Sequence, residues 1–173
     1  MSAIELYARA RPGFDERAAA ALEQLRAAID RHPGTLVFTT SLGAFALQLD
    51  PAAFQDFFLS MKEFKCLEGP SELMCHVPYP YKHPGTVSDG QLAWLEHGLL
   101  FMFKRPSEFG AKLWNGLYFR FERTPQGLRG KAQAVDLNRI SAPSATPDIP
   151  PYAPALRDEV RAGSRWIETL LIE

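Results

Sequence analysis

Twenty residues, GLYFRFERTPQGLRGKAQAV at 116–135, constrain this chain more than any other stretch. Leu117, Phe119 and Phe121 alternate with Tyr118, Arg120 and Glu122. That two-residue period is the mark of a strand with one buried face. Thr124-Pro125-Gln126-Gly127 then supplies proline for the second position of a type I turn and a glycine able to take a positive φ after it. A β-hairpin follows, with Leu117, Phe119 and Phe121 inward and Tyr118, Arg120 and Glu122 on the solvent side.

Two more hairpins read the same way. TLVFTT (35–40) and AFALQLD (44–50) flank a Ser41-Leu42-Gly43 turn, and Phe45, Leu47 and Leu49 alternate with Ala46 and Gln48. In FKCLEGPSELMCHVP (64–78), Gly69-Pro70-Ser71 separates two short apolar runs. If that loop is symmetric about residues 70 and 71, Cys66 faces Cys75 directly, at the close Cβ spacing of an opposed pair. LLFMFK (99–104) is apolar on both faces and reads as a central strand.

Helices are expected around this sheet. DERAAAALEQLRAAID at 15–30 places Ala18, Leu22, Leu25 and Ile29 on one face, and His32-Pro33-Gly34 ends it. Asp50-Pro51 has the form of an N-cap with proline at the first helical position, and Phe54, Phe57, Phe58 and Met61 form a stripe behind it, predicting a helix at 51–63. Ser88 with Gln91 suggests a capping box for a short helix at 89–97. Residues 141–154, SAPSATPDIPPYAP, hold five prolines and read as a stiff linker. Leu156, Val160, Ile167, Leu170 and Leu171 predict an amphipathic helix at 155–171 beyond it. The fold expected is therefore α+β: a mostly antiparallel sheet of about six or seven strands, with helices on one face. Residues 1–140 would form the domain, 141–154 the linker, and 155–173 a helix docking on the same domain or on a second copy, which allows a homodimer.

Charge is balanced overall, 19 Lys and Arg against 20 acids, but it is segregated. Residues 1–98 carry eight basic and twelve acidic side chains, residues 99–140 eight and three, and residues 141–173 three and five. The basic middle coincides with the hairpin's outer face. No apolar run approaches the ~18 residues of a membrane span, and the N-terminal MSAIELYARARPGFDER lacks the apolar core of a signal peptide. With only two cysteines, the expectation is a cytoplasmic chain with free thiols, no membrane and no cofactor.

Candidate functional residues fall in two groups. The loop VPYPYKHPGTVSDG (77–90) exceeds the usual connection of about 4–6 residues and concentrates Tyr79, Tyr81, Lys82 and His83. The outer sheet face offers Tyr118, Arg120, Arg129 and Lys131, with Arg105 nearby in sequence. The signals are of recognition type, which points to a non-catalytic binding module for an acidic protein partner or a small anionic ligand. Three other chemistries can be weighed. His83 could act as general acid or base in a small-molecule enzyme, which requires a cleft beside it and a carboxylate or second base within about 3 Å. Single-stranded nucleic acid or RNA could stack on Tyr118, although WNGLYFRF departs from the aromatic pattern of RNA-recognition sheets, so nucleic acid is the less favoured partner. Cys66, Cys75 and His76 could contribute to a metal site, but neighbouring strand residues point to opposite faces and C-x₈-C-H is not a zinc spacing. His97 reads as ordinary helix termination, a cation favoured in the last turn, with Glu96 pointing elsewhere on the helix and no acid-base pair between them.

Overall fold

The computed structural model describes residues 36–172 apart from 42, 43, 88 and 89; the helix expected at 15–30 and the proposed capping serine lie outside these residues. It is a mostly antiparallel β structure. Strands β1 (Leu36–Ser41) and β2 (Ala44–Leu49) form a separate hairpin. An eight-stranded sheet contains β3 (Gln55–Leu59), β4 (Lys62–Glu68), β5 (Leu73–His76), β6 (Phe101–Lys104), β7 (Gly116–Thr124), β8 (Gly127–Val135), β9 (Asp158–Glu159) and β10 (Thr169–Ile172). Its spatial order is β10-β8-β7-β6-β5-β4-β3, with β9 also on β8. One helix, α1 (Ala93–Gly98), and two 3-10 turns at Leu137–Ile140 and Pro154–Leu156 complete the described elements.

The hairpin expectations hold in register. Thr124 pairs with Gly127, whose φ of 135° takes the turn a side chain would resist, and pairing runs unbroken to Gly116 with Val135. Cys66 lies opposite Cys75, Leu67 opposite Met74 and Glu68 opposite Leu73. The opposed cysteines are joined as a disulfide in the core, which overturns the expectation of free thiols and removes the cysteine argument for a reducing compartment. Strand β6 sits mid-sheet, as its two-faced apolar sequence requires.

The α+β expectation fails: at 51–63 and 155–171 strands and irregular segments stand in place of the expected helices, and the described residues hold only the short helix α1. At 51–63 the Asp50 cap does form: its Oδ1 accepts from Ala52 N at 2.8 Å and its carbonyl from Phe54 N at 2.8 Å. Only one turn follows. Phe57 pairs with Phe64 and Leu59 with Lys62, a ladder that β-favouring aromatics support and a lone helix could not match. Ser60 and Met61, at φ 49° and 64°, make the tight turn between β3 and β4. No helix occupies 155–171. There Gly163 has φ 76°, and Leu170 and Ile172 point inward while Thr169 and Leu171 point out along β10. Apolar residues at 167, 170 and 171 suit a strand plus its approach as well as a helix face, and the free edge of β8 was available to pair with them. The dimerisation route through a C-terminal helix falls with that helix.

Both sheet faces carry core. Phe64, Cys66, Cys75, Met102, Tyr118 and Val135 line one; Leu67, Met74, Phe101, Leu117, Phe119 and Phe121 line the other. At about 25 cal/mol per Å² of apolar surface, each large side chain so buried contributes roughly 1.5–3 kcal/mol. The first face is covered by Leu137, Ile140 and Tyr152, so residues 141–153 form a strap over it rather than a free tether. The second is covered by Phe45, Leu47 and Leu49 and by Trp166, Ile167 and Leu170. Glu72, buried, accepts from Arg165 Nη1 at 2.8 Å and Trp166 N at 2.7 Å, which fastens the C-terminal segment across the sheet. Among the described residues no helix is long and apolar enough to cross a membrane.

Candidate anion-binding cleft

Strand β7 is nine residues long, whereas β6 pairs with it only at Leu117 and Gly116. Beyond that point, among the described residues, β7 has a strand partner on the β8 side alone. Helix α1 packs into the gap, turning Trp94 and Leu95 toward the two core faces and Glu96 toward the strand. One Glu96 oxygen, Oε1, accepts from Phe121 N at 2.7 Å, and the other accepts from the Tyr118 hydroxyl. Tyr118 is buried, which raises its pKa well above the usual phenol value, with the Glu96 charge acting in the same direction. It therefore remains a neutral donor.

Beside this junction lies a partly open cleft of about 600 Å³. Three arginines line it, Arg120, Arg123 and Arg157, together with Gln91, Trp94, Glu96, Phe121 and the strap residues Asp148 and Pro150. Arg157 lies over the Tyr118 ring, its guanidinium 4.5 Å from the centroid, and Nη1 reaches Gln133 Oε1 at 3.3 Å. Its Nε is buried and has no hydrogen-bond partner among the described residues. Strand alternation puts Arg120 on the face of Tyr118 and Arg123 on the face of Phe121, so cations flank the open edge of β7 on both sides.

A buried aromatic cluster backs the cleft. His97, fully buried, donates from Nδ1 to Ala93 O at 2.6 Å and accepts at Nε2 from Tyr152 N at 3.1 Å. The neutral ring alone satisfies both bonds, and burial pushes its pKa down to about 4, with nearby Arg157 and His83 adding to the effect. Tyr152 stacks on it at 5.5 Å between ring centroids and donates its hydroxyl to Asp136 O at 2.8 Å. Strap and helix α1 thus meet at His97.

The sequence-derived candidates separate. Arg120 reaches the cleft. Tyr118 is beneath it, buried, and cannot present a ring for a base to stack on. Lys131 pairs with Glu159 at 2.7 Å, and Arg129 is exposed on β8, opposite Leu171 of β10. Arg105 is exposed in the β6–β7 connection, where its N–H donates to Glu108 at 2.8 Å. Tyr79 is buried against Trp94 and His97, while the Tyr81 hydroxyl holds the strap at Ser141 O at 2.8 Å. Lys82 is exposed. His83 stacks on Trp94 at 5.2 Å, and its Nδ1 accepts from Gly85 N at 3.0 Å, so it closes the His-Pro-Gly turn and is not among the residues lining the cleft. Cys66 and Cys75 are bonded to each other, and His76 Nε2 lies 2.7 Å from Gly98 O. Among the described residues no cluster of histidine, cysteine or acidic side chains has a metal-holding arrangement.

Glu96, Arg123 and Arg157 are site residues that sequence reasoning missed. Glu96 was masked by its position in a helix end, and Arg157 by the helix expected around it. Comparison with protein-family models, curated proteins and solved structures returns no match.

Proposed function

We propose that this chain is a binding module that recognises anionic groups, carboxylate or phosphate, in the cleft between α1, β7 and the strap. The observation that carries this reading is Arg157: a partly buried guanidinium at a cleft wall, with an unpartnered Nε and only the neutral Gln133 amide on Nη1. Burying such donors is costly unless an acceptor meets them, and arginine's planar fork suits carboxylate and phosphate oxygens. Arg120 and Arg123 add positive charge at the same opening. Glu96 and Asp148 set two carboxylates against the three guanidinium groups at this opening, and the Glu96 oxygens are turned to Phe121 N and the Tyr118 hydroxyl. A volume of about 600 Å³ lies in the range of small-ligand sites.

The test is a thermal-shift titration with citrate and with inorganic phosphate, on the wild type and on Arg157→Gln. A ligand that binds the folded state alone raises Tm by mass action. The expected result is a saturable increase that weakens with added sodium chloride and is lost in the variant. A Tm unmoved by either anion, or moved equally in Arg157→Gln, would sink the reading.

A further inference from the structure

The geometry points to a more specific ligand for this cleft, resting on the anion-binding reading: a small zwitterion with an apolar body. Its ammonium and carboxylate sit on one molecule, as in a free amino acid or a short peptide with both termini free. The cleft is not uniformly basic. Arg120 already meets Glu122 at 3.6 Å, and both Glu96 oxygens accept hydrogen bonds from the protein. Two charged groups at the walls remain open to a ligand. Arg157 is one: its Nε is buried without an acceptor among the described residues, and Nη1 has only the neutral Gln133 amide, at 3.3 Å. Asp148 is the other. It lines the cleft from the strap, is exposed, and has no hydrogen-bond or ion-pair partner for its carboxylate among the described residues.

Both groups are held in place by other bonds. Arg157 rests on the buried Tyr118 ring, 4.5 Å from its centroid. The strap that carries Asp148 is pinned on one side by the Tyr81 hydroxyl at Ser141 O, 2.8 Å, and on the other by Tyr152 N at His97 Nε2, 3.1 Å. Opposite charges therefore line one cleft without neutralising each other. A ligand with a carboxylate alone satisfies Arg157 but meets Asp148 as a like charge, whereas an ammonium on the same molecule turns that repulsion into attraction. Beside the charges the walls are apolar: Phe121 and the half-buried Leu92 and Pro150 line the cleft. An apolar body with a few polar ends is what sites of this kind take. Gln91, exposed on the same cleft, offers an amide able both to donate to and to accept from a peptide unit. A cleft of about 600 Å³ has room for a di- or tripeptide as well as for a single amino acid.

The experiment is calorimetry on the whole chain with leucine and with leucylglycylglycine, each in three forms: free, N-acetylated and C-amidated. Acetylation removes the ammonium and keeps the carboxylate; amidation does the reverse. At least one free probe is expected to bind about tenfold tighter than either of its capped forms, the weight of one charge-assisted hydrogen bond. Binding by free leucine identifies an amino acid as the ligand class, and binding by the free tripeptide alone identifies a peptide. Asp148→Asn changes an exposed side chain that makes no bond of its own. It should lower the free probe's affinity to that of the N-acetylated form and leave the N-acetylated form no weaker. If free and N-acetylated probes bind equally, or Asp148→Asn weakens both alike, the ammonium site is wrong while anion recognition survives. If the C-amidated probe binds as tightly as the free one, the carboxylate is idle and both readings fall. If no probe binds, the zwitterion reading fails, and the anion reading goes with it only where citrate and phosphate are inert too.

Discussion

His97 is the residue on which protonation acts most directly. Folding buries it as a neutral ring, with Nε2 accepting from Tyr152 N and Arg157 nearby, so the folded state holds its proton only below about pH 4, against an ordinary value of 6.5. The unfolded chain binds more protons throughout that window, and stability must fall as pH drops from about 6.5 to about 4. At 1.36 kcal/mol per pKa unit the loss attributable to His97 is about 3 kcal/mol. Burial lowers His76 and His83 too, so they add in the same direction. Urea denaturation at pH 7, 6, 5 and 4.5 should show the decline, and His97→Gln should flatten it even if that variant is less stable at pH 7. Equal slopes in the two proteins would show that other groups carry the dependence. The disulfide makes a second residue-level prediction. Cys66 and Cys75 close a short loop, for which chain entropy gives a stabilisation of about 2–3 kcal/mol, so a double Cys→Ala variant should lose at least that much in denaturant titration.

At the scale of elements, the Glu72 clamp decides whether the C-terminal segment stays on the sheet. Glu72 accepts from Arg165 and from Trp166 N, and Trp166 packs so closely on Gly69 that a methyl group there would overlap its ring. Glu72→Ala leaves Trp166 N without its acceptor and the partly exposed Arg165 without its carboxylate, so it should destabilise by about 1–3 kcal/mol. Gly69→Ala should act on the same segment by displacing Trp166. Limited proteolysis is the measurement: both variants should be cut sooner between 160 and 168 than the wild type, with the β7–β8 hairpin still protected. These elements also show what was legible in the sequence. The hairpins at 36–49, 62–76 and 116–135 could be read because alternation and turn residues act locally, down to the Cys66–Cys75 register. The segments at 51–63 and 155–171 could not. Phe54, Phe57, Phe58 and Met61 have helical spacing, yet the outcome was set by a distant partner, β4 for β3 and β8 for β10, and pairing in β3 leaves Phe58 and Met61 exposed. The same limit hid the site: Arg120 was visible on its strand, but Arg157 reaches the cleft only because residues after the strap return along β8.

For the whole molecule, the consequence of strands and irregular covers at 51–63 and 155–171 is that, among the described residues, neither core face is closed by an element stable in its own right. A sheet apolar on both sides needs a layer on each. Here the first face relies on the strap anchored by Tyr152, and the second on the β1–β2 hairpin and the segment from Val160 to Ile172. The two covers are linked in sequence through Arg157, which also lines the cleft, so their stability and the site's are joined. Ending the chain after residue 157 tests this. Loss of Trp166, Ile167, Leu170 and Ile172 uncovers Leu128, Ala132 and their neighbours and leaves the edge of β8 unpaired, an invitation to association through that edge. The truncated chain should bind the dye ANS strongly, show a lower and broader thermal transition, and elute as oligomers, while Arg157 and the strap remain present. If it instead stays monomeric with a sharp transition, the second face is closed by the remaining cover alone, and the C-terminal segment is an accessory to the fold rather than part of its core.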